Sequence, residues 1–386
     1  MKLLNLIKSK FIYRAPNKTK LLILDKPGSV LISKVLKKKT DTLEVRYEKI
    51  NLYIVFKMIL NFDKLSMQSY IFRYIEKVNP KLIISHIDNN NFFFKLKSLF
   101  PDINFIFIQN GLSLKSYTQK KIKNLGLNAD HFFVYSKAYA QSYKRILRSK
   151  FYAIGSFKNN FKKKIYKNKK NCLVFISQFS IKKQNGKHHY KYRDFSFSHD
   201  DFFRSELFLI PILYDFCLKK NIKLIIAGRN MQKEKYIEEK KFYEKIILNN
   251  FNKKKLSNFI FKRIKSDFSS YDIIDSSKLV VFVDSALGYQ SLSRGNISFA
   301  CSIRSKFVKN KTLDFGWPLK MQKEGPFWLS YYNKKKINYK LNYLFGLSRS
   351  DWNKKYNKYK DDLLSHDENN KIFKTCVNKL LKSSRY

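Results

Sequence analysis

The sequence predicts an α/β protein with two Rossmann-like, doubly wound domains that face each other across a cleft, followed by a helical C-terminal tail. Three observations lead to this prediction. Short apolar runs with the length of buried strands alternate with helical patterns from about residue 21 to 154, which is typical of parallel sheets. A lysine-rich stretch without periodicity follows at 155–171. The alternation then restarts at Cys172 and continues to about residue 303.

The first half supplies one sheet. Its predicted strands are Leu21–Asp25, Thr42–Val45, Lys81–His86, Asn104–Gln109, Asp130–Ser136 and 151–154. Its predicted helices lie near 30–36, 51–61, 66–78, 92–99 and 137–148. Because most of these strands are continuous apolar runs, we expect a sheet that is covered on both faces.

The second half supplies another sheet, organised around residues 278–295. There an apolar strand stops at Asp284 and Ser285, which are good helix-capping residues, and a helical pattern at 286–294 ends at a glycine. The other predicted strands are Cys172–Ser177, Ile222–Ala227, Phe259–Phe261 and 297–303, with helices near 201–219 and 232–248. We therefore predict domains at 1–157 and 172–335, a basic linker at 158–171 and a helical tail at 336–386.

The chain is strongly basic, with 79 lysine and arginine residues against 29 aspartate and glutamate residues and a formal net charge of +50. Such a surface attracts anionic lipid head groups, nucleic acid or phosphate-bearing substrates. Part of the charge fits a compositional bias, because Lys, Asn, Ile, Phe and Tyr are abundant while Gly and Pro are scarce. No apolar window reaches the roughly 18 residues that a membrane span requires.

Other sequence features narrow the class of protein. The four cysteines are widely separated and lack CxxC spacing, which predicts buried thiols in a reducing cytoplasm. Residues 1–14 mix basic and apolar types, as in a plain first helix or a short amphipathic helix on a membrane surface. The motifs of P-loop, dinucleotide-binding, zincin and serine-hydrolase sites are missing, as is a DxD metal motif. The sequence therefore predicts no metal and no cofactor.

Polar residues follow a predicted strand at 85–91, in the sequence SHIDNNN. His86, Asp88 and Asn89 stand at the carboxyl end of that strand, where parallel sheets place their active sites. A carboxylate or an imidazole there is suited to act as a general base on a hydroxyl group, so we predict His86 and Asp88 as catalytic and Asn89 as a cleft residue. The alternative is a capping turn that serves the next helix.

Two further segments are cleft candidates in the first half. In IQNG at 108–111, Gln109 and Asn110 offer amide groups and Gly111 allows close approach to the backbone. An ordinary Asn-Gly turn explains this segment equally well. In IGSFKNN at 154–160, Lys158 and Asn159 are candidates, with a mere linker as the alternative.

In the second half the residues with functional potential also follow strands. A helix start beyond a strand presents backbone N–H groups to an anion, above all to a phosphate, and an arginine matches two phosphate oxygens. The predicted phosphate-binding residues are Ser177, Gln178, Arg229, Asp284, Ser285, Ala286, Leu287, Gly288, Gln290 and Arg294. The alternatives are an ordinary α/β repeat without a ligand and a surface arginine.

Two tryptophan-containing turns lie close together in the sequence, FGWP at 315–318 and GPFW at 325–328. Aromatic rings in a loop beside a cleft can stack on a sugar or a base. The alternative, a small aromatic cluster that fixes the tail to the second domain, is favoured slightly.

These motifs, in this order, resemble a bacterial family of surface carbohydrate biosynthesis proteins, sugar transferases of O-antigen or capsule gene clusters. The resemblance covers roughly residues 20–355 and is most specific in VDSALGYQSLSRG together with FGWP and GPFW. More distantly it extends to GT-B enzymes such as Kdo transferases, polysialyltransferases and CDP-glycerol glycerophosphotransferases. It implies that Ser285 and its neighbours hold the donor's phosphate. The chain departs from the family pattern at Ala286, where threonine is expected, and at Gln290, where glutamate is expected.

The resemblance implies a metal-independent glycosyltransferase that moves a sugar from a nucleotide-sugar donor to a cell-surface glycan precursor. Residues 1–157 are then the acceptor domain and residues 172–335 the donor-binding domain. We expect a lipid-linked or glycan acceptor and a cytoplasmic protein, peripheral on the anionic inner membrane. A glycerol- or ribitol-phosphate transferase of similar fold is an alternative. A basic nucleic-acid-binding protein is a third, disfavoured because the charge is spread along the chain.

Overall fold

The chain forms two compact units, each with its own parallel sheet. The computed structural model describes residues 9–46, 48–112, 126–164, 170–180, 189–192, 195–251 and 256–383. Unit 1 comprises Met1–Gly111, Tyr117–Phe161 and Ser365–Tyr386, and unit 2 comprises Leu112–Ser116 and Lys162–Leu364. The predicted α/β class with two doubly wound sheets and a helical C-terminal segment is confirmed.

The described part of unit 1 begins with alternating strands and helices. Its strands are β1 (Lys10–Ile12), β2 (Leu21–Leu24), β3 (Asp41–Leu43), β4 (Lys49–Asn51), β5 (Leu82–Ser85), β6 (Asn104–Ile108), β7 (Asn128–Val134) and β8 (Arg148–Ala153). Its helices before residue 162 are α1 (Ser29–Leu36), α2 (Leu52–Leu60), α3 (Met67–Val78), α4 (Asn91–Leu99), α5 (Lys137–Lys144) and α6 (Phe157–Phe161).

Six of these strands form the sheet of unit 1 in the order β3-β2-β5-β6-β7-β8, and every pair is parallel. Strands β1 and β4 form a separate parallel pair. Strands β2, β5 and β6 are almost entirely buried, as their continuous apolar sequences predict.

Unit 2 is built in the same manner. Its described strands are β9 (Lys170–Ile176), β10 (His189–Tyr192), β11 (Phe195–Ser198), β12 (Lys223–Ala227), β13 (Phe259–Lys262), β14 (Ser277–Phe282), β15 (Ser298–Cys301), β16 (Glu324–Gly325) and β17 (Trp328–Leu329). Its described helices are α7 (His199–Lys219), α8 (Lys233–Asn250), α9 (Ser269–Asp275), α10 (Ala286–Ser293), α11 (Arg304–Phe307), α12 (Lys334–Gly346), α13 (Arg349–Tyr356) and α14 (Lys360–Leu363).

The sheet of unit 2 has the order β13-β12-β9-β14-β15-β17-β16 among the described residues. All its pairs are parallel except β16–β17, and β10 and β11 pair separately as an antiparallel ribbon. The order of its first five strands along the chain, 3-2-1-4-5, is that of the Rossmann fold. The longest helix, α7, begins with a capping box between Ser198 and Asp201.

One predicted helix ends earlier than expected. The prediction extends it from 137 to 148, but α5 ends at Lys144. The backbone N–H of Arg148 already bonds to the carbonyl of Leu127 at 3.1 Å, at the start of β8. The pairing of the sheet therefore replaces the helix at this point.

The chain returns to unit 1 at its C-terminus. Helix α15 (Lys371–Lys382) places Phe373 and Val377 in the core of unit 1. The sequence predicts a single helical tail at 336–386, whereas α12–α14 belong to unit 2 and Ser365–Tyr386 belong to unit 1. Likewise, part of the predicted linker is folded, since 158–161 lie in α6 and β9 begins at Lys170. Residues 165–169 of that linker lie outside the described residues.

Among the described residues, none of the helices is both long enough and apolar enough to cross a membrane.

Candidate functional site

The strand orders mark one place in each sheet where a ligand site is expected. Open α/β sheets bind ligands outside the carboxyl ends of their strands, where the strand order reverses. In unit 1 this point lies between β2 and β5, and in unit 2 it lies between β9 and β14. The predicted residues His86 and Asp88 follow β5, Ser177 and Gln178 follow β9, and Asp284–Gly288 follow β14.

His86 packs directly against the loop after β2. Gly28, at the start of α1, has a φ of +81°, and a Cβ atom added there would lie 2.7 Å from Cβ of His86. The left-handed conformation and the close contact both require glycine at this position. Burial lowers the pKa of His86 to about 4. The imidazole is therefore neutral near pH 7 and is a weak base.

Asp88 is the carboxylate at this strand end whose properties suit proton transfer. Burial raises the pKa of Asp88 to about 7. Hydrogen bonds from the backbone N–H groups of Asp88 and Asn110, and from the Tyr143 hydroxyl at 3.5 Å, oppose this rise. A general base works best when its pKa lies near the operating pH, so Asp88 is the better base of the two predicted catalytic residues.

Tyr135 holds the IQNG turn in place. Its hydroxyl donates to the carbonyl oxygen of Asn110 at 2.9 Å, and its backbone N–H donates to Oε1 of Gln109, also at 2.9 Å. Nε2 of Gln109 donates to the carbonyl oxygen of Gly111 at 2.8 Å. Both polar atoms of the Gln109 side chain are therefore hydrogen-bonded, and the residue is only 1% exposed. It shapes the turn, while Asn110 supplies a backbone N–H to Asp88.

The remaining candidates in unit 1 occupy different environments. Asn89 is exposed, Lys158 is half-buried and Asn159 is completely buried. The backbone N–H of Asn159 bonds to Oγ of Ser156 at 3.4 Å, at the start of α6. Asn159 is therefore packed inside unit 1 as part of α6, whereas Asn89 is exposed to solvent after the end of β5.

In unit 2, helix α10 begins after β14, at the point where the strand order reverses. Ser285 is the N-cap, and its Oγ accepts a hydrogen bond from the backbone N–H of Leu287 at 3.3 Å. Ala286 and Leu287 are half-buried. A Cβ atom added to Gly288 would come within 2.1 Å of the Phe282 ring. Gly288 therefore lets α10 pack closely on β14, which fixes the direction of the helix start.

A buried arginine connects the two strand ends of unit 2. Arg304, in α11, donates to Oε1 of Gln178 at 2.8 Å and to Oε1 of Glu206 at 2.5 Å, and it also contacts Oδ1 of Asp284. The guanidinium carbon lies 3.9 Å from the centre of the Phe202 ring. Arg304 and Glu206 were not among the predicted residues. The signal available in the sequence was an arginine just after the apolar strand 297–303.

Ser177 and Arg229 complete this strand edge. Oγ of Ser177 accepts from the Tyr243 hydroxyl at 2.9 Å. Arg229 is exposed, and its Nη1 donates to the carbonyl oxygen of Gln178 at 3.0 Å. The buried carboxylate of Glu239 accepts from the backbone N–H of Arg229 at 2.8 Å and so fixes the loop after β12. Arg229 therefore presents an exposed cation beside Gln178.

The structure does not bring Gln290 and Arg294 to this edge. Oε1 of Gln290 accepts from the Tyr271 hydroxyl at 2.8 Å. Arg294 bonds to Oδ1 of Asp275 at 2.8 Å and to the carbonyl oxygen of Lys162 at 3.0 Å. Both side chains are buried, and they hold α10 and its C-cap residue, Arg294, to the neighbouring elements.

The two tryptophan-containing turns form an aromatic cluster. Phe315 stacks on Trp328 with ring centres 5.2 Å apart, and Phe327 meets Trp352 of α13 edge to face, also at 5.2 Å. Tyr289 of α10 stacks on Phe315 at 5.3 Å. The structure thus agrees with the interpretation of these turns as a cluster that fixes α13 and α10.

Within the described part of the chain, no group of three or more His, Cys, Asp or Glu side chains could hold a metal ion. Metal independence remains a prediction.

Comparisons with known proteins agree with this architecture. The family model described as "putative O-antigen biosynthesis protein" matches residues 106–381. No curated protein matches the sequence.

Solved structures share the fold over nearly the whole chain. A glycosyltransferase from Rickettsia africae ESF-5 has a TM-score of 0.50 at 10% identity and covers 95% of this chain and 100% of its own. A protein described as a "putative UDP-N-acetylglucosamine 2-epimerase" from Listeria monocytogenes has a TM-score of 0.53 at 10% identity, covering 96% and 98%. The wall teichoic acid polymerase TagF has a TM-score of 0.50 at 10% identity, covering 94% and 89%. These matches show the GT-B type of fold.

Proposed function

Because the chain belongs to the family of O-antigen biosynthesis proteins, we propose that it is a glycosyltransferase acting on the precursor of a cell-surface glycan. The family and the GT-B type of fold together support this class of enzyme. The donor is a nucleotide sugar, which binds to unit 2. The acceptor is a lipid-linked or free glycan, which binds to unit 1. The free cysteines support a location in the reducing cytoplasm.

The observation that carries the proposal is the start of α10 at the strand-order reversal of unit 2. The positive end of the helix dipole at the start of α10 attracts a phosphate there. Arg229 adds a cation at the end of the neighbouring strand β12. These groups bind the donor's diphosphate and carry its growing negative charge as it leaves, without a metal or a cofactor.

The residue that we propose for proton transfer, Asp88, lies in unit 1. Asp88 removes the proton from the acceptor hydroxyl as the hydroxyl oxygen forms a bond to the anomeric carbon of the sugar. The bond from that carbon to the diphosphate breaks in the same reaction, and the configuration inverts. The raised pKa of Asp88 supports this role, because a carboxylate with a pKa of about 7 is a stronger base than an ordinary one.

Calorimetry with a panel of nucleotide sugars tests the donor site. We expect one donor to bind, and Arg229→Ala to weaken that binding about tenfold, since a charged hydrogen bond contributes roughly 1.5–3 kcal/mol. Lys241→Ala is the control, because Lys241 is an exposed cation of unit 2 in helix α8. Absence of binding by the folded protein across the whole panel would overturn the proposal.

The panel also separates the glycosyltransferase from its main alternative. A glycerol- or ribitol-phosphate transferase would use the same phosphate site, and a wall teichoic acid polymerase shares the fold. Binding and turnover of CDP-glycerol, with no response to nucleotide sugars, would establish that alternative instead.

A further inference from the structure

Unit 1 exposes a compact group of large apolar side chains at the end of α2. The group, here called the apolar turn, comprises Phe56, Ile59, Leu60, Phe62 and Leu65. Their side chains are 57%, 54%, 55%, 97% and 62% exposed. Single exposed apolar residues are normal on protein surfaces, but five within ten residues mark an interaction site.

Helical geometry places three of these residues together. Phe56, Ile59 and Leu60 have the i, i+3, i+4 spacing that puts side chains on one helix face. Ile54 and Met58 of the same helix are buried on the opposite side. Helix α2 therefore has two apolar faces, one packed into unit 1 and one open to solvent.

Phe62 occupies a position that normally favours glycine. Its φ is +54°, and the bonds from its N–H to Ile59 at 3.0 Å and from the N–H of Asp63 to Met58 at 2.9 Å form a Schellman motif. A side chain in this left-handed conformation is strained. Since Phe62 is 97% exposed, its ring gains no packing in compensation. An aromatic ring at this position therefore points to a partner outside the chain.

The apolar turn is held firmly in position. Asp63 pairs with Arg73 of α3, from Nε at 2.5 Å and from Nη2 at 3.0 Å. Ser66 caps α3 through the backbone N–H of Ser69 at 3.2 Å. The exposed side chains are thus presented by an ordered connection between two helices.

The charges around the apolar turn identify the partner. Lys57 and Lys64 lie within the segment, both are exposed, and neither forms an ion pair in the described part of the chain. Two nearby carboxylates, Asp63 and Glu76, share the guanidinium of Arg73. Together with Arg73, the two lysines still outnumber these carboxylates, so the segment carries an excess of positive charge. Apolar side chains bordered by unpaired lysines fit the surface of an anionic lipid bilayer, and the formal net charge of +50 acts in the same direction.

We propose that the apolar turn docks the protein onto an anionic membrane, with Phe62 inserted between the lipid head groups and Lys57 and Lys64 bound to their phosphates. The proposal goes beyond the transferase activity and does not depend on it. Binding to vesicles is measured without donor or acceptor, so its failure and that of the proposed reaction are distinguishable.

Co-sedimentation with vesicles of phosphatidylglycerol and phosphatidylethanolamine tests the proposal with the full chain. We expect Phe62→Gly to weaken binding about tenfold, as the loss of one buried aromatic side chain implies. Glycine suits the φ of +54°, so this variant should unfold at the same or a higher temperature than the wild type. Lost binding then does not reflect misfolding. Tyr339→Asn, which removes a 68% exposed aromatic residue from unit 2, is the matched control and should bind normally.

The charged residues are tested separately. The double variant Lys57→Gln, Lys64→Gln should lose about tenfold in affinity for the anionic vesicles, and the wild type should bind neutral phosphatidylcholine vesicles weakly. Wild-type binding by Phe62→Gly would overturn the proposal. The proposal would also be overturned if the wild type did not bind vesicles and instead formed a dimer that Phe62→Gly abolishes. The apolar turn would then bind a second copy of the chain.

Discussion

Nη2 of Arg304 donates to Oε1 of Glu206 at 2.5 Å, and both side chains are completely buried. The same guanidinium bonds to Gln178 after β9 and to Asp284 after β14. One buried cation therefore ties together the two strand ends that form the proposed donor site. The carboxylates of Glu206 and Asp284 share this cation. Removal of the arginine would therefore leave their negative charges uncompensated.

Arg304→Met is expected to lower the free energy of unfolding by about 3–5 kcal/mol, because it leaves Glu206 and Asp284 without their partner. Urea denaturation measures this. Lys241→Met, at an exposed cation of α8 in the same unit, should change stability by no more than about 0.5 kcal/mol. Adding Glu206→Leu to Arg304→Met should recover part of the loss. If the double variant instead loses the sum of both single effects, the pair is not coupled.

The pKa of Asp88 predicts a pH dependence of stability. Its ordinary value of 3.8 is raised to about 7 in the folded protein. The folded chain therefore keeps a proton that the unfolded chain releases. This contribution to stability is fully present below about pH 4 and is lost as the pH rises to about 7. The Asp88→Asn variant has no carboxyl group at this position and is therefore not destabilised in this way. Its free energy of unfolding should increase relative to that of the wild type between pH 4.5 and pH 8. A pH-independent difference would contradict the raised pKa.

The catalytic rate should depend on pH in the opposite direction to the stability. It should rise, whereas the stability falls, as Asp88 loses its proton. Proton removal requires the ionised carboxylate, so kcat should rise with pH and level off above about pH 7. Asp88→Asn should lower kcat by about 10²–10⁴-fold, while the Kd of the donor, measured by calorimetry, stays unchanged. An equal loss in donor affinity would move Asp88 from acceptor chemistry to donor binding.

Gly28 controls the position of His86. Gly28→Ala should cost at least about 1–2 kcal/mol, since alanine is strained at a φ of +81° and its Cβ would meet His86 at 2.7 Å. Displacement would also expose the imidazole, so its pKa, followed by NMR, should rise from about 4 towards 6.5. Gly111→Ala is the control, because no atom of the described residues, apart from the chain neighbours, lies within 4 Å of the Cβ position at Gly111. An unchanged His86 titration in Gly28→Ala would show that the contact is unimportant.

The strands and the residues that follow them could be predicted because their signals are local. A continuous apolar run ended by Asp284-Ser285 or by Ser85-His86 defines a buried strand and its carboxyl end without knowledge of the fold. The sequence also placed Gln290 and Arg294 on one helix. Helical spacing does not say which side of α10 meets its neighbours. The side chains of Gln290 and of Arg294, the C-cap residue of α10, are both buried against other elements of unit 2.

Contacts between distant residues left no such signal. Arg304 and Glu206 are 98 positions apart, and Asn160 and Asn370, which bond at 3.0 Å, are 210 positions apart. The second contact explains why the C-terminal segment belongs with unit 1. A lysine-rich stretch of low periodicity resembles a linker, although its first residues form α6 and receive the end of the chain.

The C-terminal helix α15 should therefore be part of the stability of unit 1. Phe373 is completely buried and meets Phe133 and Phe157 edge to face, at 5.3 Å and 4.9 Å between ring centres. Phe373→Ala should lower the free energy of unfolding by about 3–5 kcal/mol through the cavity that it leaves. Ile372→Ala is the matched control, because this neighbour in α15 is 45% exposed and should cost no more than about 0.5 kcal/mol. Equal losses in the two variants, measured by urea denaturation, would mean that α15 does not dock in solution.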